Sequence, residues 1–286
     1  MKALVRDRYG SPEVLEVTDV PQPVPKKHQV LVRVHACALN DWDWAFTRGD
    51  QVFGDLCGLA GFSGFAEYVC AAGKRLRPKS PTMSFVQAAA LPQAGQLAVQ
   101  GIAAAGPLKP RQTILINGAG GGVGTIGVQI AKAQMPDVEV TGVDSAIKFD
   151  TMRRAGFDHV IDYTRDDFTR TGHQYNLIVD TRTTRAPRDH LRALAPGGTY
   201  ATVGGPENGT LLKIPFVGWW HRLTTGKTVK LIGLRPSRDL TYLTKLFDAG
   251  QLTPLIDGPY KLDDAREAFR RFGAGMHQGK IVITME

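Results

Sequence analysis

Glycines crowd residues 117–124, NGAGGGVG, between a short apolar run and a segment of helical periodicity. Backbone N–H groups at a helix N-terminus can bind a pyrophosphate when no side chain blocks its approach, and glycine removes that obstacle. The spacing is A-x-G-x-x-G, because Ala119 stands where the strict pattern has its first glycine. The residues that we expect to contact a nucleotide here are Asn117, Gly118, Gly120, Gly121, Gly122, Val123 and Gly124.

A carboxylate follows at the distance that a ribose-binding residue requires. Residues 138–143 predict a strand, and Asp144 comes directly after it, twenty positions beyond Gly124. In a Rossmann unit an acidic residue at this place accepts hydrogen bonds from the adenosine ribose. A flexible loop would explain the glycines alone. Strand, glycine turn, helix, strand and acid together predict a dinucleotide-binding unit.

Composition limits the classes of protein that the chain can belong to. With 286 residues, 43% of them hydrophobic and 22% charged, it has room for two modest globular domains. The net charge of +8 comes from basic residues spread along the chain, which favours a solvated surface over a nucleic-acid site. Three cysteines, far apart, indicate neither a disulfide framework nor a metal knuckle.

The N-terminus has charges where a signal peptide needs an apolar core, so we expect a cytoplasmic protein. An uncharged run, residues 83–108, is long enough to span a bilayer, but glutamines and Pro92 interrupt it. We interpret it as buried helices, 84–90 and 94–105, and expect no membrane partner.

Alternation of strands and helices continues on both sides of the glycine turn. The first part is predicted to be β-rich, with strands at 2–6, 14–19, 29–38, 51–54 and 65–70. After the turn, strands are predicted at 159–161, 175–180, 199–204 and 229–233, and helices at 147–155, 187–194 and 239–249. The chain closes with a helix capped by Asp263 and a strand at 280–284. The aromatic segment 211–225 is interpreted as core packing rather than a substrate wall.

Several motifs occur together in one order: RYGSPEVLE, VLVRVHACALN, GFAEYV, INGAGGGVGTIGVQIAK, GVDSAIK, HVIDYTRDDF, ALAPGGTYATVGG and GKIVI. In this combination the chain resembles the medium-chain dehydrogenase/reductase superfamily, in its zinc-independent quinone oxidoreductase-like branch. The resemblance implies an α/β fold, with a Rossmann doubly wound parallel sheet over 92–252. It also implies a GroES-like β-rich catalytic domain, here truncated, over 1–91 and 253–286.

The activity implied by the resemblance is hydride transfer from a nicotinamide cofactor to a quinone, an activated alkene or a related carbonyl. Zinc members have a cysteine where Asn40 stands, and the seven histidines are scattered, so we expect no catalytic zinc. In the zinc-free branch an asparagine at this place lies near the nicotinamide. Asn40 is therefore the catalytic candidate, although it could merely end a strand.

The same resemblance points to further cofactor-binding residues, which are Ser145, Lys148, Tyr163, Asp180 and Gly204. Lys148 and Tyr163 fall where NADPH-using relatives hold the adenosine phosphate, whereas an unpaired Asp144 would repel it. We favour NADPH because Ser145 and Lys148 can together offset the acid, and NADH stays open.

Two departures from the family bear on activity. Arg48-Gly49 runs directly into Asp50, so that a segment carried by relatives is missing, and Leu97 replaces a usual threonine. The alternative function is therefore a nicotinamide-nucleotide-binding protein with little or no catalysis, in a sensor or assembly role. An edge strand of the Rossmann sheet predicts a homodimer.

Overall fold

The computed structural model describes residues 1–40, 64–72, 76–183, 185–203, 225–235 and 238–285. The N-terminal part is β-rich. Its strands are β1 (Lys2–Arg6), β2 (Leu15–Asp19), β3 (Gln29–Arg33), β4 (Ala36–Ala38) and β5 (Tyr68–Ala72). β1 pairs antiparallel with β2, and β3 pairs antiparallel with β5.

Two helices lead from this part into the rest of the chain: α1 (Phe85–Ala90) and α2 (Pro92–Ile102). A capping box starts α1, because the Ser84 hydroxyl accepts the Gln87 N–H at 3.2 Å and the Gln87 side chain accepts the Ser84 N–H at 2.9 Å. Pro92 begins α2, where the missing N–H costs no helical hydrogen bond.

The central unit alternates strands and helices. Its elements are β6 (Thr113–Asn117), α3 (Gly122–Gln134), β7 (Glu139–Asp144), α4 (Phe149–Ala155), β8 (His159–Asp162), β9 (Tyr175–Asp180), α5 (Pro187–Arg192), β10 (Leu194–Thr202), β11 (Thr228–Leu231) and α6 (Leu240–Asp248). The strands form one parallel sheet in the order β11-β10-β9-β6-β7-β8. The order reverses between β6 and β9, which makes this the place where α/β sheets bind ligands.

Both faces of this sheet are covered. Ile114 and Ile116 belong to a hydrophobic cluster with α2, α3 and α6, whereas Leu115 belongs to a second cluster that includes Leu191 of α5. Successive strand residues point to opposite faces, so helices on both sides explain the continuous apolar run of β6. The predicted Rossmann doubly wound sheet is confirmed.

The chain then returns to its N-terminal part through β12 (Ile256–Lys261), α7 (Ala265–Gly273) and β13 (Lys280–Thr284). β13 pairs in parallel with β12 and antiparallel with β4. A separate hydrophobic cluster joins Leu4, Leu15 and Leu39 to α7 and β13. The domain bounds of 1–91 with 253–286, and of 92–252, stay a prediction.

The predicted strand 29–38 is wrong as one strand. β3 pairs with β5, whereas β4 pairs with β13, and the chain changes partner at Val34 and His35. The alternation of apolar residues continues through the break, because both halves are half-buried. Local pattern therefore could not show the change of sheet.

Two predicted helix boundaries also differ. The helix predicted at 187–194 ends at Arg192, and the strand predicted at 199–204 already starts at Leu194, with a register shift against β9 between Leu194 and Thr199. Asp263 does not cap α7, since the N-cap position is Asp264, whose side chain makes no capping bond. The predicted segments 51–54 and 211–225 lie outside the described residues, apart from Thr225. Within the described part of the chain, no helix is long and apolar enough to cross a membrane.

Candidate active site

The glycine turn lies at the carboxyl end of β6 and leads directly into α3. A Cβ on Gly124 would come within 2.5 Å of the Ala119 Cα, so only glycine lets the helix approach the strand end this closely. Gly118 has φ of 80°, and a Cβ there would lie 2.1 Å from the Thr181 hydroxyl oxygen. The backbone of the turn is therefore specified by glycine at these positions.

α3 begins without a side-chain cap. Its N-cap residue is Gly121, and the first helical hydrogen bond runs from the Thr125 N–H to the Gly121 carbonyl at 3.0 Å. The earlier N–H groups of the helix have no acceptor within it and carry the positive end of the helix dipole. This helix start is suited to an anion.

Asp144, at the end of β7, binds the backbone of the glycine turn. One of its oxygens accepts the Gly120 N–H at 2.9 Å, and the other accepts the Ser145 N–H at 2.8 Å. Lys148 Nζ lies 3.2 Å from the same carboxylate, and both side chains are buried. The structure thus brings Asp144, Ser145 and Lys148 together, and Lys148 forms a buried ion pair with the acid. Tyr163 stands beside them, exposed, with its N–H 3.4 Å from the Asp144 carbonyl oxygen.

Asn117 and Asp180 meet at the switch point between β6 and β9. The Asn117 amide donates to Asp180 Oδ1 at 2.8 Å, and Asp180 also accepts the Tyr200 hydroxyl at 2.8 Å and the Arg182 N–H at 3.0 Å. Asp180 is fully buried and does not line the cavity described below. It holds Asn117 in place from underneath.

Two aromatic neighbours enclose this carboxylate. His190 Nε2 lies 3.4 Å from Asp180 Oδ2, and its ring stacks on Tyr200 with centroids 4.5 Å apart. Burial, assisted by the Asp180 charge, raises the pKa of Tyr200 far above its usual range. Burial lowers the pKa of His190, and the Asp180 charge opposes that shift. Burial therefore favours the neutral forms of the phenol and the imidazole that lie beside the Asp180 side chain.

Asn40 comes from the other part of the chain, after β4. Its Nδ2 donates to the Ala38 carbonyl at 3.0 Å, and its Oδ1 accepts Lys280 Nζ. Lys280 is buried at the start of β13, and a Cβ on Gly122 would lie 2.7 Å from its Cδ. The lysine therefore spans from the glycine turn to Asn40 and fixes the orientation of its amide.

These groups surround one cavity of about 480 Å³. Its lining includes the glycine turn with Asp144, Ser145, Lys148 and Tyr163, and also Asn40 and Lys280. Ala94, Leu97 and Val123 contribute apolar surface. The cavity is of the size that holds a small-molecule or cofactor ligand.

The lining includes residues that were not predicted as site residues, among them Lys280, His277 and Arg182. Lys280 belongs to the motif GKIVI, but nothing in its spacing to Asn40, 240 positions away, could reveal the contact. In the sequence His277 is one of seven scattered histidines, and its position does not indicate a site. Gly204 and the Gly49-Asp50 junction lie outside the described residues.

Comparison with known proteins agrees with this geometry. Residues 155–283 match the family described as zinc-binding dehydrogenase. The chain is 26% identical over 325 residues to the 2-methylene-furan-3-one reductase of Solanum lycopersicum, covering 99% of this chain and 79% of that protein. It is 27% identical over 331 residues to the chloroplastic quinone-oxidoreductase QR1 of Triphysaria versicolor, covering 99% and 98%. These similarities support the medium-chain dehydrogenase/reductase superfamily, in its quinone oxidoreductase-like branch.

Two further similarities concern a solved structure and a curated relative. The structure of the quinone oxidoreductase from Coxiella burnetii superposes with a TM-score of 0.82 at 24% identity, covering 100% and 99% of the two chains. The chloroplastic NADPH-dependent alkenal/one oxidoreductase of Arabidopsis thaliana is 24% identical, covering 99% of this chain and 79% of that protein. The alignment to the Triphysaria protein runs over 331 positions, whereas this chain has 286 residues, so that relative carries residues without a counterpart here.

The residues around the cavity fit a nicotinamide dinucleotide. Side chains larger than hydrogen would fill the turn at Gly118 and Gly124, the start of α3 is uncapped, and the cavity extends from there to Asn40. Within the described ranges, no group of three His, Cys, Asp or Glu side chains could hold a metal ion.

Proposed function

We propose that this protein is an NAD(P)H-dependent oxidoreductase that transfers hydride, without a metal, to a quinone, an activated alkene or a related carbonyl. One observation carries the proposal: the uncapped start of α3 at the switch point of the sheet opens into the cavity that Asn40 and Lys280 close. The names of the related proteins supply the class of acceptor.

Each wall of the cavity has a distinct task. The cofactor supplies the hydride when bound, and the glycine turn provides N–H groups for its pyrophosphate. Asn117, held by Asp180, keeps the floor of the site polar. Asn40 positions and polarises groups at the nicotinamide end, and Lys280 orients its amide. The apolar side chains Ala94, Leu97 and Val123 exclude water from the reacting centre.

No proton donor is assigned. Tyr68, a tyrosine of the N-terminal part, lies in β5 opposite Arg33, outside the lining of the cavity. Solvent can supply the proton after hydride transfer to a quinone or an enone.

The first test is cofactor oxidation. Purified protein with NADPH or NADH should lose nicotinamide absorbance when a small quinone or an enone is added. Treatment with a metal chelator should leave the rate unchanged, since Asn40 stands where zinc members have a cysteine. The proposed activity would be overturned if no acceptor in a broad panel of quinones and enones caused a loss of nicotinamide absorbance.

NADPH is the cofactor that we propose, with NADH as the alternative. Lys148 neutralises Asp144 within the buried pair, which removes the charge that would repel a 2′-phosphate. Arg182 adds a positive charge to the same cavity. Lys148→Met should weaken NADPH binding by at least about tenfold and NADH binding by less. Lys132→Met, which removes an ion pair with Asp158 away from the cavity, is the matched control.

The second candidate is a nucleotide-binding protein with little or no catalysis. Leu97 favours it, because an apolar side chain lines the cavity where relatives have a threonine. This function predicts thermal stabilisation by the cofactor without turnover of any acceptor.

We also propose a cytoplasmic homodimer. Among the described strands, β11 is an edge of the parallel sheet, and Leu231 on it is 48% exposed. An exposed apolar side chain on an edge strand favours pairing with a second copy. Light scattering should give twice the monomer mass of 31.1 kDa, and Leu231→Lys should lower it toward the monomer value.

A further inference from the structure

His277 lies in the segment between α7 and β13, at the wall of the cavity that faces the glycine turn. Its ring stacks on Phe272, with centroids 4.7 Å apart and an interplanar angle of 14°. Nδ1 is completely buried and has no hydrogen-bond partner. Nε2 lies next to Gly121 of the glycine turn, since a Cβ added to Gly121 would be 3.4 Å from it.

The imidazole is poorly explained as packing alone. A phenylalanine ring would fill the same place on Phe272 without burying a polar nitrogen that finds no partner. We assign the tautomer in which Nδ1 carries no proton, because an unpaired acceptor costs less to bury at this position than an unpaired N–H donor. In that tautomer the N–H is on Nε2. The ring thus presents a donor toward the start of α3.

The electrostatic surroundings of His277 suit an anion. Burial lowers the pKa of His277 to about 3, so the ring is neutral at ordinary pH. Four cationic side chains lower it further: Lys148, Lys280, Arg182 and Arg271. The carboxylates of Asp144 and Asp257 are engaged by Lys148 and Arg271 respectively, so neither acid is left unpaired to repel an anion here.

The segment that carries His277 is fixed before any ligand binds. The Gly279 N–H donates to the Gly120 carbonyl at 2.8 Å, and the Gln278 N–H donates to Asp257 at 2.7 Å. The Gln278 side chain accepts the Thr151 hydroxyl of α4 at 2.7 Å. A ring held in this way loses little conformational freedom when it binds a ligand.

We propose that His277 is a phosphate ligand for the dinucleotide, with its Nε2–H donating to a pyrophosphate oxygen bound over Gly121 at the start of α3. The pyrophosphate is then held from both parts of the chain, by backbone N–H groups of the glycine turn and by a side chain that precedes β13. This inference rests on the proposed function, because it names how the same cofactor is bound.

Two variants separate binding from packing. His277→Phe keeps the stack on Phe272 and removes the donor, whereas His277→Gln loses the stack and keeps an amide N–H near the position of Nε2. The dissociation constants of NADPH and NADH, from nucleotide fluorescence, are measured together with the melting temperature of the free protein. His173→Gln, an exposed histidine outside the cavity, is the control.

We expect His277→Phe to melt at or above the wild-type temperature and to bind both cofactors at least about tenfold more weakly. His277→Gln should melt lower and bind within about threefold of wild type. A folded His277→Phe protein that binds within twofold of wild type would overturn the inference and leave the proposed function intact. A wild-type protein that binds neither cofactor would overturn both.

Discussion

Gly124 is the residue at which α3 and the end of β6 come closest. A methyl group at this position would lie within 2.7 Å of three backbone atoms of Ala119, which cannot move without opening the turn. Gly124→Ala should therefore lower stability by about 1–3 kcal/mol and weaken cofactor binding. Gly127→Ala, in the same helix, meets only the tip of Ile116 at 3.3 Å and should bind cofactor normally. Equal losses in both variants, by urea denaturation and cofactor titration, would contradict this.

Asn40 and Lys280 form one unit. Asn40→Ala should lower kcat by about tenfold or more while changing the cofactor dissociation constant much less, because the amide acts at the nicotinamide end. Lys280→Met removes the bond that orients Asn40 and should lower kcat in the same direction.

The double variant of these two residues tests their coupling. The effects of substitutions at two residues in contact are not additive in free energy. The fold loss in kcat of the double variant should therefore be smaller than the product of the two single fold losses. Steady-state kinetics with the best acceptor measures all three variants, and Lys132→Met serves as control. A strictly multiplicative double variant would show that the lysine acts independently of Asn40.

Residues of the nucleotide half of the site could be predicted, because they lie close together in sequence. The strand, turn, helix, strand and acid between Thr113 and Lys148 form a local unit, and periodicity and glycine spacing report it. His277 and Lys280 could not be assigned, since their contacts with Gly121 and Asn40 depend on β13 returning to the N-terminal part.

At the scale of elements, α1 is the helix that packs on β4, the strand that delivers Asn40, and on β13. Its capping box satisfies N–H groups that the helix cannot pair itself. Ser84→Ala should destabilise the protein by about 1 kcal/mol, and Ser84→Asp should restore most of that loss. Thermal and urea unfolding measure the change. The cofactor dissociation constant should stay within twofold, because α1 does not line the cavity.

Element boundaries show where local reasoning fails. The break between β3 and β4 follows from a change of partner strand, which the sequence alternation does not mark. The glycines of β10 lie where its register against β9 shifts, and they do not end a helix. Gly198 lets the two strands approach closely there, since a Cβ on it would lie 3.0 Å from the Tyr175 carbonyl oxygen. In both cases the deciding contact is with a distant strand.

For the whole molecule, two buried histidines make stability depend on pH. His277 has a pKa of about 3 and His190 a lowered pKa in the folded protein, mainly because burial penalises their charged forms. In the unfolded chain a histidine titrates near 6.5, so the unfolded state binds more protons as the pH falls below that value. The free energy of unfolding is therefore not reduced by these histidines above about pH 6.5, and it falls as the pH drops from there toward their folded pKa values.

The expected slope follows from the number of protons. Because the pKa of His277 is about 3 in the folded protein, this histidine removes about 1.4 kcal/mol of stability per pH unit below 6.5, and His190 adds to the slope in the same direction. Urea denaturation at pH 7.5, 6.0 and 5.0 measures this slope before the lowered carboxyl groups, such as Asp158, begin to titrate. His277→Phe should remove the contribution of His277, about 1.4 kcal/mol per pH unit, from the slope. A stability that does not change between pH 7.5 and 5.0 would mean that these histidines take up protons in the folded protein.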